Sequence, residues 1–149
     1  MALKLIPLSP SDVTLLGYTH KIDVAAADII GLTKATAYPL YPVNSGSATF
    51  PAGLVVKRVD LKVNTAAASA GTVTCSVGNS GSGTKYHNGV SVKTTGLTSA
   101  SANVESAASQ LTFQFGTDQT DLTGVTNLAM EIFLHLTPTG DLDGVSAGL

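Results

Sequence analysis

The chain has 149 residues, a formal net charge of −2, and a charged fraction of only 12%. This length predicts one domain, with a core large enough to need no metal or disulfide for stability. The charge argues against the basic surfaces that bind nucleic acid or anionic membranes, and no run approaches the roughly 20 apolar residues of a membrane helix. Pro7 and Pro10 interrupt the N-terminal apolar segment too early for a signal peptide, so we expect synthesis in the cytoplasm without export.

The N-terminal residues 1–17 are apolar but broken by proline, and we expect them to form an arm that would fray on its own. The segment Tyr18–Val24 follows, with Ile22 and Val24 alternating with polar side chains. This alternation predicts the first half-buried strand. One helical turn is predicted at Ala25–Leu32, where Gly31 stops it.

Later segments also have residue patterns typical of strands, and turn-forming residues separate these segments. The predicted strands are 34–43, 59–65, 72–78, 84–92, 110–116 and 129–136. The predicted connections are 44–53, 64–71, 78–83, 94–103 and 116–124. Pro39 and Pro42 place the first of these strands at a sheet edge or a bulge, because proline has no N–H to donate to the ladder. A second short helix is predicted at 101–109.

No apolar period of 3.6 residues is sustained anywhere in the sequence, which argues against layers of helix on a parallel sheet. We therefore expect an all-β fold, an antiparallel β-sandwich or barrel with one or two short helical turns. Residues 18–137 would form this domain, preceded by the arm 1–17. The Gly/Asp-rich residues 138–149 would form a C-terminal tail.

One stretch nearly matches the phosphate loop of nucleotide-binding proteins, in which two glycines are followed by lysine and a hydroxyl residue. Gly78 and Gly83 have the required spacing, but Thr84 and Lys85 stand in the reverse order. A phosphate loop also needs a following helix whose N-terminal amides face the phosphates. Val90 and other β-branched residues predict a strand there instead, so we interpret the stretch as a turn between strands.

Two further near-matches lie close to the C-terminus. The segment Gly144–Gly148 fits the spacing of a hydrolase nucleophile motif around Ser146, but too few residues follow it to supply the acid and the histidine. Asp141–Gly144 has the start of a calcium loop but not its later ligands. We predict neither a hydrolase site nor a calcium site from these segments.

The remaining candidates for chemistry are three histidines and one cysteine. His20, His87 and His135 form no metal-binding pair in the sequence, and we expect them to be exposed or at the rim. Cys75 alternates with valines and is expected to be a core residue. Phe133 and Leu54 fit either an exposed subunit contact or the core. The sequence thus predicts no catalytic, cofactor-binding or metal-binding residue, and no enzyme.

The order of these segments resembles that of the small β-structured cement or decoration proteins on the heads of tailed bacteriophages. The matching pieces are Ile22–Ile30, Gly53–Asn64 and Thr72–Lys85, and the resemblance spans roughly residues 18–137. It implies a jelly-roll-like sandwich, a homotrimer, bound to the major capsid protein on the outside of the virion. It carries no catalytic residue and no cofactor.

Two alternatives stay open beside a capsid cement protein. One is another structural β-protein of the phage, from the tail tube, the neck or the fibre base. The other is a β-sandwich module that binds carbohydrate or calcium. The sequence does not distinguish the head from the tail of the particle.

Overall fold

The computed structural model describes residues 3–4, 6–7, 18–41, 55–101 and 110–137. The strands are β1 (Leu3–Lys4), β2 (Ile6–Pro7), β3 (His20–Ala25), β4 (Tyr38–Tyr41), β5 (Val55–Thr65), β6 (Thr74–Asn79), β7 (Ser82–Ser91), β8 (Gly96–Ser101), β9 (Leu111–Gly116) and β10 (Ala129–Thr137). One helical turn, α1 (Ala26–Ile29), follows β3. Among the described residues, no helix is long and apolar enough to cross a membrane.

The strands form two sheets, in the orders β1-β4-β9-β6-β7 and β2-β3-β10-β5-β8. The eight longer strands pair antiparallel with their neighbours. Their orders, β4-β9-β6-β7 against β3-β10-β5-β8, are those of a jelly roll, the double Greek key; successive strands alternate between the two sheets except at the pair β6-β7. The all-β, jelly-roll-like sandwich expected from the sequence is therefore confirmed.

The core lies between the inner faces of the two sheets, as strand alternation requires. In β10 the inward residues Met130, Ile132 and Leu134 are buried and pair in register with inward residues of β3 and β5. In β9 the rings of Phe113 and Phe115 meet edge to face, with centroids 6.1 Å apart. These apolar rows hold the two sheets together.

The helical turn predicted at 25–32 is shorter in the structure, with α1 spanning four residues. The Asp28 carboxylate accepts a hydrogen bond from the Ala25 amide at 2.8 Å, which satisfies one of the amides at the start of the turn. Ile29 is fully buried and anchors α1 to the core. The second predicted helix, at 101–109, falls almost entirely outside the described residues.

One predicted connection is wrong, because 94–103 contains the strand β8. Gly96, Leu97, Thr98 and Ser99 are all exposed, so no apolar alternation marks the segment as a strand. It is extended because β5 offers it a regular antiparallel ladder from Arg58 to Val63. The predicted strand 34–43 is narrower, and β4 is not at the sheet edge that its prolines suggested, because the two residues of β1 pair beyond it with Leu40 and Tyr41.

The N-terminal arm contributes two short strands to the sandwich. Leu3–Lys4 pairs in parallel with β4, and Ile6–Pro7 pairs antiparallel with β3, so the arm reaches the edges of both sheets. The boundary proposed at residue 17 stays a prediction. The tail 138–149 lies outside the described residues.

Candidate functional site

The stretch that resembled a phosphate loop is the hairpin between β6 and β7. Gly78 lies directly against the returning chain: a β-carbon placed on it would be 2.1 Å from the Ser82 carbonyl oxygen. The Asn79 side-chain oxygen accepts hydrogen bonds from the amides of Gly81 and Ser82, at 3.0 and 2.8 Å. This is an Asx-type turn, which the side chain stabilises from within.

The geometry of the hairpin does not suit a phosphate. Two of the amides that would face a phosphate are already bound by Asn79, and the chain continues into the strand β7 rather than a helix. Gly78 thus serves a close backbone approach, whereas a β-carbon on Gly83 would lie 2.9 Å from the side-chain oxygen of Gln114. The turn predicted between the two strands is confirmed.

Cys75 lies where the sequence placed it, on the inner face of β6 with no exposed surface. Burial raises the pKa of its thiol to about 12, because the thiolate would lose its solvation. At neutral pH the side chain is a protonated core residue, since only the thiolate is the nucleophile.

The expectation that all three histidines are exposed or at the rim is wrong for two of them. His20 is 1% exposed and lies on the same inward face as Ile22. His87 is 4% exposed, and its Nε2 lies 2.7 Å from the carbonyl oxygen of Val59, in the opposite sheet. His135 is half-buried on an outer face.

Alternation places His20 in the core, two residues before Ile22, and irregular pairing of β7 with β6 turns His87 inward. His20 Nδ1 lies 2.8 Å from the Thr19 hydroxyl, so its environment is polar despite its burial. Within the described ranges, no group of three His, Cys, Asp or Glu side chains is placed to hold a metal ion.

The outer face of the β2-β3-β10-β5-β8 sheet carries most of the ionic contacts, and we call it the charged face. Its charged residues are Lys21, Asp23, Arg58, Asp60, Lys62 and Glu131, which lie on the side of the strands opposite the core. Lys21 Nζ bridges Asp23 at 3.3 Å and Glu131 at 3.4 Å. The Asn64 amide donates to the other Glu131 oxygen at 2.9 Å.

The centre of the charged face is an interaction that the sequence did not predict, and we call it the Asp60 cluster: Tyr18, Arg58, Asp60 and Phe133. Asp60 has no exposed surface although it lies on an outer face. Arg58 Nε lies 2.9 Å from one of its carboxylate oxygens and 3.1 Å from the other. The Tyr18 hydroxyl also donates to this carboxylate.

Aromatic packing covers the buried carboxylate of the cluster. The ring of Tyr18 lies over that of Phe133, with centroids 4.9 Å apart, and the Arg58 guanidinium is 5.6 Å from the Tyr18 centroid. Burial and the hydrogen bond to the negative Asp60 raise the pKa of Tyr18 above its ordinary value. Phe133 is thus an outer-face residue rather than core. The available signal was one aromatic residue, Phe133, at a polar-face position of its strand; Tyr18 fitted the apolar face of the predicted first strand, with Ile22 and Val24.

The outer face of the opposite sheet has a different character, and we call it the uncharged face. Over β4, β9 and β6, and at the end of β7, it consists of Pro39, Thr74, Ser76, Gly78, Ser91, Thr112, Gln114 and Gly116. These residues are small or neutral, and Ser76, Gly78 and Thr112 among them are buried, whereas the charged face holds six ionic side chains. The two broad surfaces of the sandwich therefore differ in the partners that they suit.

Among the surface depressions on the described part of the molecule, two have volumes of about 280 and 270 Å³. The first is lined by Asp23, Asp28 and Glu131, each of which already accepts a hydrogen bond or an ion pair from within the chain. The second lies among loops around Ser69 and Asp121, whose carboxylate binds Thr123. Neither is lined by a histidine or a cysteine.

Three sequence candidates fall outside the described residues: Leu54, the Asp141–Gly144 segment and Ser146. The structure therefore adds nothing to the interpretation of the calcium-like and hydrolase-like motifs. The candidate site that it does describe is a pair of contrasting outer surfaces.

Comparison with known proteins finds a similar fold among solved structures. No known protein family and no curated protein matches the sequence. Among solved structures, a chain from the capsid asymmetric unit of cyanophage Pam1 is similar, with a TM-score of 0.50 and 16% identity over 76% of this chain and 79% of that one. A chain from the acid-stable capsid of Helicobacter pylori bacteriophage KHP30 is more distant, with a TM-score of 0.39, 14% identity and coverage of 76% and 92%. The sandwich of this chain thus has the same fold as a chain found in a phage capsid.

Proposed function

We propose that this protein is a structural component of a bacteriophage particle, a cement protein that binds the outside of the capsid shell and stabilises it. The observation that carries the proposal is the likeness to the chain in the Pam1 capsid. The aligned part covers similar shares of both chains, so the two are of similar length. The jelly roll is also one of the folds that viral capsid proteins use.

The chemistry of the described surfaces supports a passive role. The carboxylates of the charged face pair with Lys21, Arg58 and Asn64, so they act within the molecule. Cys75 is buried and protonated. Ionisable groups that stabilise one another in this way suit a rigid block that contacts its partners over broad surfaces.

The uncharged face is the surface that we propose to lie against the shell. The buried centre of a protein interface is depleted in charged residues, because each charge would have to be desolvated. Thr74 and Gln114 lie on this face without a charged neighbour in register. The charged face would then point away from the shell, toward solvent.

The stabilising effect would come from contacts across boundaries between shell subunits. A specific interface usually buries roughly 1,200–2,000 Å² in total, and many copies on one symmetric shell act together. The major capsid protein is the proposed partner. The homotrimer implied by the family resemblance is part of this proposal.

A binding experiment with empty, expanded shells that lack the protein tests the proposal. Purified protein should sediment with the shells at micromolar concentration and should saturate. Failure to sediment with them would contradict it. Immunogold labelling of whole particles checks the location, because gold on the tail, the neck or the fibres would favour the other structural roles.

Matched charge insertions test which face binds. Gln114→Lys, on the uncharged face, should weaken sedimentation with shells, whereas Asn64→Lys, on the charged face, should leave it close to that of the unaltered protein. The reverse order would mean that the charged face is the one that docks. Binding on a glycan array, or heat released on calcium titration, would instead favour a ligand-binding module.

A further inference from the structure

Each sheet of the sandwich has two edges, and in the described part of the chain three of these edges carry features that discourage further pairing. Such features protect sheets from joining other chains. At two edges lie β1 and β2, which have only two residues each, and β2 contains Pro7. At the third lies β7, whose pairing is irregular and which contains Lys85 and Gly89 with a positive φ of 65°.

The fourth edge, β8, is six residues long and shares only one of these features, the positive φ of 144° at its first residue, Gly96. Its sequence, GLTSAS, contains no charge and no proline, and its ladder with β5 runs from Gly96 to Ser101 without a register shift. Leu97 is 56% exposed, the highest value among the exposed large apolar side chains of the described residues. Thr98 and Ser99 beside it are also exposed.

We propose that β8 is an interface between copies of this chain, in which β8 pairs edge to edge and antiparallel with β8 of a second copy. The pairing would join two five-stranded sheets into one continuous sheet about a two-fold axis. Side chains alternate between the two faces of a strand. The outer faces of the two copies therefore lie on the same side of the joined sheet only if the axis passes between one β8 residue and the same residue of the second copy. The registers with the greatest overlap place either Thr98 or Ser99 there.

The charges around β8 favour a second copy as the occupant. The charged residues nearest to it in the ladder, Arg58, Asp60 and Lys62, have their backbone one strand behind, on β5. In the paired sheet, the backbones of counterparts would be three strand spacings apart, roughly 14 Å, which exceeds the screening length of about 8 Å at physiological ionic strength. The Arg58 guanidinium reaches β8, where its Nη2 lies 3.4 Å from the Ser99 hydroxyl, but it is paired with Asp60. Charge repulsion between two copies is therefore small, and Leu97 loses part of its exposed surface.

The size of the contact makes it a weak one. A strand of this length, six residues, spans roughly 20 Å, so the edge alone falls short of the roughly 1,200 Å² of a permanent dimer. We expect the β8 contact between free molecules to form and dissociate rapidly. This step rests on the proposed function: a shell that binds many copies would hold neighbours close enough for the contact to persist.

Disulfide trapping in solution tests the proposal without any shell. The variants Thr98→Cys and Ser99→Cys place one reactive thiol near each possible axis, and Cys75 gives no background because it is buried. The matched control is Ser91→Cys, an exposed position at the end of β7. Under mild oxidation at high protein concentration, one of the two β8 variants should form covalent dimers at least about tenfold faster than the control.

A second substitution separates the interface from accidental collision. Adding Leu97→Lys to the faster β8 variant should bring its rate down to that of the control, because a charge on the edge strand opposes pairing. Circular dichroism and the denaturation midpoint would confirm that each variant is folded. Equal rates at positions 91, 98 and 99, or a rate that Leu97→Lys leaves unchanged, would overturn the proposal whether or not the protein binds shells.

Discussion

At the scale of single residues, Gly78 shows how a motif that suggests chemistry can have a purely steric origin. The Ser82 carbonyl oxygen and the Gly83 carbonyl carbon would lie 2.1 and 2.5 Å from a β-carbon at this position. Both are backbone atoms, which cannot move aside as a flexible side chain would. Only glycine therefore fits beneath the turn.

We expect Gly78→Ala to lower the free energy of unfolding by about 1–3 kcal/mol, because overpacking forces the backbone of the hairpin to shift. Gly124→Ala is the matched control, since nothing lies within 4 Å of a β-carbon there. It should be neutral or slightly stabilising. Urea denaturation measures both, and an equal effect of the two substitutions would show that the close approach is not rigid.

Cys75 provides a residue-scale prediction for pH. The pKa of its thiol rises from 9.0 to about 12 on folding, so the folded chain keeps the proton to higher pH than the unfolded chain. This contribution to stability is fully present below about pH 9 and is lost as the pH rises from 9 to 12.

The unaltered protein should therefore lose more stability than Cys75→Ala across this window, by at most about 4 kcal/mol. Denaturation midpoints measured at pH 8, 9.5 and 10.5 give the slope of stability against pH for each protein. The cavity that alanine leaves lowers stability equally at every pH, so it does not affect the difference between the slopes. Parallel curves for the two proteins would mean that the thiol is accessible to solvent.

At the scale of elements, His87 connects the two sheets. It lies on β7, and its Nε2 is 2.7 Å from the Val59 oxygen on β5 of the other sheet. Because a carbonyl only accepts, Nε2 carries the proton. We expect His87→Leu to cost about 1–3 kcal/mol, since the Val59 carbonyl loses this partner in a buried place.

The control is His135→Leu, at a half-buried position on the charged face, which should cost less than about 0.5 kcal/mol. Differential scanning calorimetry of both variants checks the comparison. A similar loss of stability in both would remove the special role of the bond between the sheets.

The elements also show where sequence patterns succeed and where they fail. The alternation in 129–136 and 110–116 predicted β10 and β9, because each buries one full face. The alternation pattern failed at β8, because Leu97–Ser99 are all exposed and the strand is held by its backbone ladder with β5. It failed for His87 because an irregular register changes which face a residue occupies. The burial of Asp60 depends on Tyr18 and Phe133, which are remote in sequence.

At the scale of the whole molecule, composition and alternation were enough to predict an antiparallel β-sandwich or barrel but not the strand order. Ile22 pairs with Ile132, and Val59 pairs with Leu134, so the sheet is built from contacts between distant parts of the chain. A single sequence carries little local information about such pairings. The resemblance to phage head proteins supplied the jelly roll that the strand order now shows.

The N-terminal arm gives a prediction at this scale. We expect deletion of Met1–Pro10 to weaken binding to shells by roughly tenfold, equivalent to about 1.4 kcal/mol, while costing less than that in folding stability. The loss of folding stability should be small because β1 and β2 contribute only two paired residues each to the sandwich. Sedimentation with shells and thermal denaturation of the free protein measure the two effects. Equal losses would mean that the arm belongs to the fold alone.

The most direct measurement of the central claim is the thermal stability of shells with and without the bound protein. Expanded shells lacking it would be titrated with purified protein and heated, and their disruption followed by light scattering. We predict that the disruption temperature rises with added protein and reaches a plateau when the surface sites are full. Saturable binding that leaves this temperature unchanged, or lowers it, would contradict a cement function.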